Sequence, residues 1–428
     1  MSRRTGLYAG WSVTRAAMFV ALLHDVWHSR QAWIPFPLVA DVNGYWPHAT
    51  DLVVHGRVPY VDFAYEYPPG SLPFLAVARV VGGTRSHFVV AWLLLMLALD
   101  LVAVVVLDRW PGGNRAGAWF WVLGVTALGP IVLARNDMLP AVGVVVATYL
   151  LRRGRPLASG VAWSFAILSK IWPAVLLLVL AALRPREMRR PLLGAAAGLA
   201  AAAVGLQAIG ALAPMLHVLK QTQAQRPLEI ESTFAALAIT IGVASGHRLA
   251  YVLTFGSMNV PAPKTHGLAG LAYVLTLLLQ LSGIVLAVFA RRRSRASTGA
   301  LAAWIWVTLI AGGLAIAPVL SPQYVLWLLA VVALLLVTED SLIARGVALL
   351  CGSCAALTMW EFPFLWAQQL RGDAGAVAVV DVRDACLLAI AAVAGVVAVR
   401  RARASLPAKD ETLLNAPEAS HSGRVRRS

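Results

Sequence analysis

Apolar runs of close to twenty residues recur through the sequence and leave few ways to fold it. The clearest cover residues 86–108, 117–134, 191–213, 268–290, 298–317, 323–338, 342–360 and 382–399. A helix crossing about 30 Å of hydrocarbon needs on the order of 20 apolar residues. Inside a bilayer each backbone N–H and C=O must be satisfied within the protein, which leaves helices for runs of this length. An all-α polytopic membrane protein follows. An earlier segment, 10–26, is interrupted by Arg15, His24 and Asp25. It is expected to be a true span packed against other helices, with a cleaved signal peptide as the plainer alternative. The net charge of +16 taken alone would suggest nucleic acid as a partner. With 59% hydrophobic and only 13% charged residues, the chain excludes a nucleic-acid binder, a soluble enzyme and a secreted disulfide scaffold. Cys351, Cys354 and Cys386 fall in or near spans and suggest neither disulfides nor a zinc site.

The basic residues orient the chain. Arg3-Arg4, Arg109 with Arg115, Arg152 to Arg155, Arg184 to Arg190, Arg291 to Arg295 and Arg400 to Arg403 sit between apolar runs. The positive-inside rule places all of them in the cytoplasm if 137–151 is a short span and 155–184 goes out and returns, broken near Lys170 and Pro173. That gives about 12 crossings with both termini inside. The same parity puts 27–85, 135–137, Lys170, 214–267, Ser321 to Gln323 and 361–380 outside, so that 27–85 forms a long first outer loop. Trp27, Trp33, Trp46, Trp360 and Trp366 suit an outer interfacial belt. Residues 1–400 read as one transmembrane domain, and 401–428 as a disordered basic cytoplasmic tail.

Polar constellations gather on that outer face. The first loop holds Asp41-Val-Asn-Gly-Tyr45 and then Tyr60-Val-Asp62-Phe-Ala-Tyr65-Glu66-Tyr67-Pro68-Pro69-Gly70. Carboxylates there can act as general bases toward a sugar hydroxyl, and aromatics can stack on sugar faces. A solvated loop with interfacial tyrosines is the plainer alternative. Arg135-Asn136-Asp137 and Lys170 interrupt apolar segments, where ionisable residues are costly and are usually paired or functional. Both cations reach the outer boundary, where a lipid phosphate can lie; a structural Arg–Asp pair and a snorkelling lysine would look the same. Arg226 to Ser232 and Ser321-Pro322-Gln323-Tyr324 complete the set, the last also reading as a simple helix start. There is no D-x-D, no Gly-rich phosphate loop and no cytosolic domain for a nucleotide sugar. A sugar donor would have to be lipid-borne.

These blocks, in this order, resemble the polyprenol-phosphate-sugar-dependent glycosyltransferases of the GT-C class, and most nearly family GT87. The resemblance rests on Asp41 with Gly56 to Gly70, Arg135 to Ala141, Leu168 to Pro173, Arg226 to Ser232 and Leu320 to Tyr324. It implies an inverting membrane transferase that moves a mannose-type sugar from a polyprenyl phosphate to an envelope glycolipid or polysaccharide. A carboxylate in the first outer loop is the base in such enzymes, and Asp41 holds the matching position. Lys170 and Arg226, then Arg135, are expected to meet the donor phosphate, with Asp137 holding Arg135. Glu66 and Asp62 compete as bases but read better as loop architecture or acceptor contacts. Tyr65, Tyr67, Glu231, Gln323 and Tyr324 are expected in support. No metal or other cofactor is expected. The middle block departs from the family in reading Arg-Asn-Asp, and residues 245–267 and 361–380 carry none of its blocks. A transporter or flippase of a lipid-linked sugar, or a non-catalytic assembly protein, is the alternative.

Overall fold

The computed structural model describes residues 3–28, 38–247, 249–293 and 299–404. Trp33 and most of the expected tail, from 405 on, lie outside the described residues. The chain is helical nearly throughout, as expected. Among the described residues, seven helices are long and apolar enough to cross a membrane. These are α1 (Arg3–Trp27), α4 (Arg85–Asp108), α9 (Arg189–Ala208), α12 (Ala262–Arg293), α13 (Gly299–Ile316), α15 (Leu342–Met359) and α17 (Ala374–Arg403). Seven shorter apolar helices accompany them among the described residues, five of them α5 (Ala116–Leu128), α6 (Met138–Arg152), α7 (Pro156–Ser169), α8 (Pro173–Leu183) and α14 (Val325–Thr338). At 1.5 Å per residue these five span roughly 16–22 Å, short of the ~30 Å apolar thickness.

Side-chain burial sorts the helices. α13 and α14 are buried along almost their whole length and form the centre, with Trp304 and Trp306 fully enclosed. Peripheral helices turn large apolar side chains outward, among them Val20, Val204, Leu277, Val285, Leu349 and Val396. Water would penalise such a surface, whereas lipid does not.

Arg15 has a complete set of partners inside the bundle. Its guanidinium lies 2.8 Å from Asp100 on α4 and donates to Thr126 Oγ1 and the Val122 carbonyl on α5. Trp11 and Trp121 donate their indole N–H groups to the same Asp100 carboxylate, at 2.5 and 2.7 Å. Arg15, the charge that breaks the middle of α1, thus clamps it to its neighbours.

From Asp41 onward the expected first loop is largely folded. A π-helical turn (Asp41–Tyr45) runs into α2 (Trp46–Val54), and after an irregular stretch α3 (Leu72–Gly82) leads to α4. The stretch 214–267 is also structured, by α10 (Leu212–Gln225), α11 (Thr233–Ala244) and a small antiparallel sheet. Its strands β1 (Leu228–Glu229), β2 (Val252–Thr254) and β3 (Ser257–Val260) take the order β1-β3-β2. Leu228 pairs with Val260 and Thr254 with Ser257. Phe255 and Gly256 join β2 to β3 at φ +52° and +66°, which suits the right-handed strand twist.

These pieces make a cap with its own apolar core of Leu228, Ile230, Ala235, Ile239, Val260, Ala269 and Val377. α17 is 30 residues long, about 45 Å against ~30 Å of hydrocarbon, so it has turns to spare for the cap. α11 packs there, its Thr240 hydroxyl donating to Asp381 at 2.7 Å. A bend after α15, through a second π turn (Trp360–Leu365) and α16 (Trp366–Leu370), closes the cap's other side.

Candidate active site

The short helices end where the charged residues sit. α5 stops at Gly129 (φ +80°) before Pro130, and the chain passes Arg135 to enter α6. α7 ends at Ser169; Lys170 is extended, and Pro173 opens α8. Pro322 opens the turn before α14, next to Ser321. Proline favours the first turn of a helix because its missing N–H is an orphan there anyway. Each break leaves polar backbone and a polar side chain at one level of the bundle.

The loop from 58 to 71 is braced against them. Asp62 caps the Val58 N–H at 2.7 Å, Tyr60 donates to the Tyr67 carbonyl at 2.7 Å, and buried Tyr65 bonds Ser71 at 2.7 Å. Gly70 lies against the Leu168–Ser169 backbone, where a Cβ would come within 2.6 Å. The Pro-Pro-Gly turn thus sits on the residues that lead to Lys170.

Between these elements lies a chamber of about 280 Å³. Asp41, Glu66, Tyr67, Arg135, Lys170, Arg226, Glu231, Gln323 and Tyr324 line it. Asp62, Tyr65 and Asp137 are not among the lining residues: Asp62 is exposed and caps Val58, and Tyr65 and Asp137 are buried. Asp41 forms an ion pair with Arg135 and accepts from the Tyr67 hydroxyl at 3.4 Å. Burial pushes the Tyr67 phenol well above its ordinary value and Tyr45 up to about 12, so both remain neutral donors.

One expectation is corrected here. Asp137 is the direct partner of Lys170, not of Arg135: Lys170 Nζ lies 2.7 Å from Asp137 Oδ1. The Trp327 indole donates to the same oxygen at 2.7 Å. Asp137 is the N-cap residue of α6, and the extended Lys170 reaches it across the α6–α7 pair. The Lys170 ammonium also sits 4.1 Å from the Tyr324 ring centre and 5.0 Å from Trp327, whose rings stack at 4.3 Å. Arg135, a residue pair earlier on the turn, reaches Asp41 instead.

The cap supplies the opposite wall. Arg226 donates to the Phe255 carbonyl at 3.2 Å, tying α10 to the β2–β3 turn, and Leu253, Phe255 and Met258 face the chamber. Glu229 accepts from the Ser321 hydroxyl at 2.9 Å, and Glu231 from the Trp366 indole at 3.1 Å. Burial pushes both carboxyls up, and for Glu231 the charges of Glu229 and Glu361 add to it. Glu229, Ser321 and Tyr45 stand within the quoted sequence blocks without being singled out; the sequence offers Trp366 only to an outer interfacial belt and gives no signal for the hairpin. Among the described residues, no cluster of His, Cys, Asp and Glu has a metal-holding arrangement.

Fold and chamber together define a polytopic helical membrane protein that concentrates two accessible carboxylates and three cations in one cavity at one end of its bundle. The family model for glycosyltransferase family 87 matches residues 65–318, more than half of the chain, and the protein belongs to that family. It is therefore a glycosyltransferase, with a donor and an acceptor to hold. Asp41 and the Ser321–Tyr324 turn flank the matched segment on either side. No curated protein matches the chain.

Proposed function

We propose that the protein transfers a sugar, mannose by the family resemblance, from a polyprenyl phosphate to an envelope glycolipid or polysaccharide, on the extracytoplasmic face and with inversion. The observation that carries this reading is the chamber itself, where Asp41 and Glu66 face Arg135, Lys170 and Arg226. The acceptor hydroxyl attacks the anomeric carbon, its proton passes to Asp41, and the bond from that carbon to the phosphate oxygen breaks on the opposite face. The leaving phosphate gains charge, which fixed cations stabilise best in a site shielded from water. Lys170 and Arg226 take this role. Arg135 pairs with Asp41 until the phosphate draws it aside, so donor binding frees the base. The polyprenyl chain lies in a groove between lipid-facing helices, and no metal is required.

Sidedness rests on charge. The arginine clusters at 109–115, 152–155, 184–190 and 400–403 occupy the connections and end that alternate with those lining the chamber. By the positive-inside rule those are cytoplasmic, and the chamber faces out.

The test uses membrane vesicles of both orientations and labelled polyprenyl-phosphate-mannose. Covalent transfer to lipid or glycan on the outward face is expected, whereas label that crosses without a bond change would mean a flippase. Asp41→Asn should lower transfer by about 10²- to 10⁴-fold at normal protein level. An active Asp41→Asn beside a dead Glu66→Gln would move the base to Glu66.

A further inference from the structure

One buried stripe of α17 runs through Ala376, Val380, Arg383, Leu387, Ile390 and Ala394, the spacing of a single helix face. Arg383 is its charged member and is wholly buried. Its guanidinium lies 2.7 Å from Asp384 Oδ1, and its Nη2 donates to the Glu231 carbonyl at 2.5 Å. Burying a guanidinium is costly unless its charge and its donors are used. Asp384 answers the charge. It does not account for a donor aimed across 152 residues of sequence at the backbone of the cap.

Glu231 is held a second time, by the Trp366 indole of α16 at its carboxyl Oε1, 3.1 Å away. Three residues further along α16, Gln369 donates to the Ile230 carbonyl at 3.3 Å. α16 and α17 thus grip two successive carbonyls of one segment. Glu231 lines the chamber, whereas Arg383 and Gln369 are not among its lining residues. With its carbonyl and one carboxyl oxygen both fixed, Glu231 has the locked geometry that a reacting site draws from its supporting residues.

We propose that Arg383 is a positioning residue: through the Glu231 carbonyl it sets, from outside the chamber, where the Glu231 carboxyl meets the substrate. The proposal rests on the transferase reading above and adds a residue that touches no substrate itself.

The test measures transfer from labelled polyprenyl-phosphate-mannose to endogenous glycolipid in membrane vesicles that hold the full chain. Arg383→Met with Asp384→Asn removes both charges together, so that neither is left buried alone. This pair should lower kcat about 10- to 10²-fold, the scale of a misplacement of about 1 Å. Glu231→Ala should lower it as well. Added to Glu231→Ala, the Arg383 pair should cost no more than about twofold, because residues that act through one another do not add. Losses that multiply, or an unchanged kcat in Glu231→Ala, overturn the proposal, since a merely structural Arg383 would act independently of Glu231. Arg383→Lys keeps a cation beside Asp384 but lacks the planar fork that serves two groups. It should show the same coupling with a smaller loss, and it decides the question if the neutral pair does not accumulate. Amide exchange of residues 229–232 gives a readout without turnover. It should rise about tenfold or more in the Arg383 variants, the worth of one hydrogen bond to a charged group, and unchanged exchange likewise overturns the proposal. If the natural chain transfers nothing from this donor, the donor assignment fails, while exchange still decides what Arg383 holds.

Discussion

Lys170 spends its charge on one carboxylate oxygen and two aromatic faces, with little of its side chain left in water. Removing Asp137, whose side chain is almost wholly buried, would leave that ammonium uncompensated. Loss of one partner of a buried pair costs on the order of 3–5 kcal/mol. Asp137→Ala should accordingly lower the thermal unfolding temperature in detergent, and an unchanged temperature would mean that Lys170 is held by something else. Glu231 offers a pH test. Its folded-state carboxyl is pushed up by burial and by Glu229 and Glu361. Above the ordinary value near 4.5 the folded chain then binds more protons here than the unfolded one, so stability falls as pH rises. Unfolding temperatures at pH 5 and pH 8 should differ less in Glu231→Gln than in the natural chain. Equal differences would remove Glu231 as the source. Gly70 is a third case. A side chain there must push the loop off the Leu168–Ser169 backbone. Misplacement by about 1 Å can cost 10²-fold in rate, so Gly70→Val should reduce kcat strongly while the protein still reaches the membrane.

Among the elements, α1 shows how a charged span can be stable. Arg15 and Asp100 neutralise each other, and two tryptophans and Thr126 take up the remaining hydrogen-bonding capacity. Arg15→Leu alone should destabilise the bundle by about 3–5 kcal/mol. Arg15→Leu with Asp100→Leu should recover much of that, because a buried pair is often replaceable by apolar residues of similar volume. A double variant no better than the single one would count against this pairing. At the α7–α9 crossing, Gly160 lies against Pro191 and Gly194 against Leu157, backbone to backbone. Small residues let membrane helices approach this closely. The crossing sets the tilt of α7, and with it the position of Lys170 at its end.

Across the whole molecule, the sequence was most legible where a single physical demand acts. Hydrocarbon length demands apolar runs, and the positive-inside rule demands clustered arginines; the helical, polytopic architecture follows from these alone. The candidate site was legible in part for the same reason. In a chain this poor in charge, an Asp41, an Arg135 or a Lys170 stands out against its apolar surroundings, and those residues do meet in one chamber. Pairing was not legible. Arg135 and Asp137 are two residues apart and looked like partners, yet the α5–α6 turn sends one toward Asp41 and the other toward Lys170, contacts across 94 and 33 residues of sequence. The cap was not legible either, because its two-residue strand and twelve-residue helix are too short to show a period and borrow their core from α12 and α17. Sequence by itself determined that this protein spans a membrane, which residues were too costly to be there without a partner, and the glycosyltransferase family to which it belongs. Only the tertiary structure decided which carboxylate holds which cation and what closes the chamber. Burial energy is written locally along a chain, whereas charge pairing depends on distances that exist only after the helices have packed.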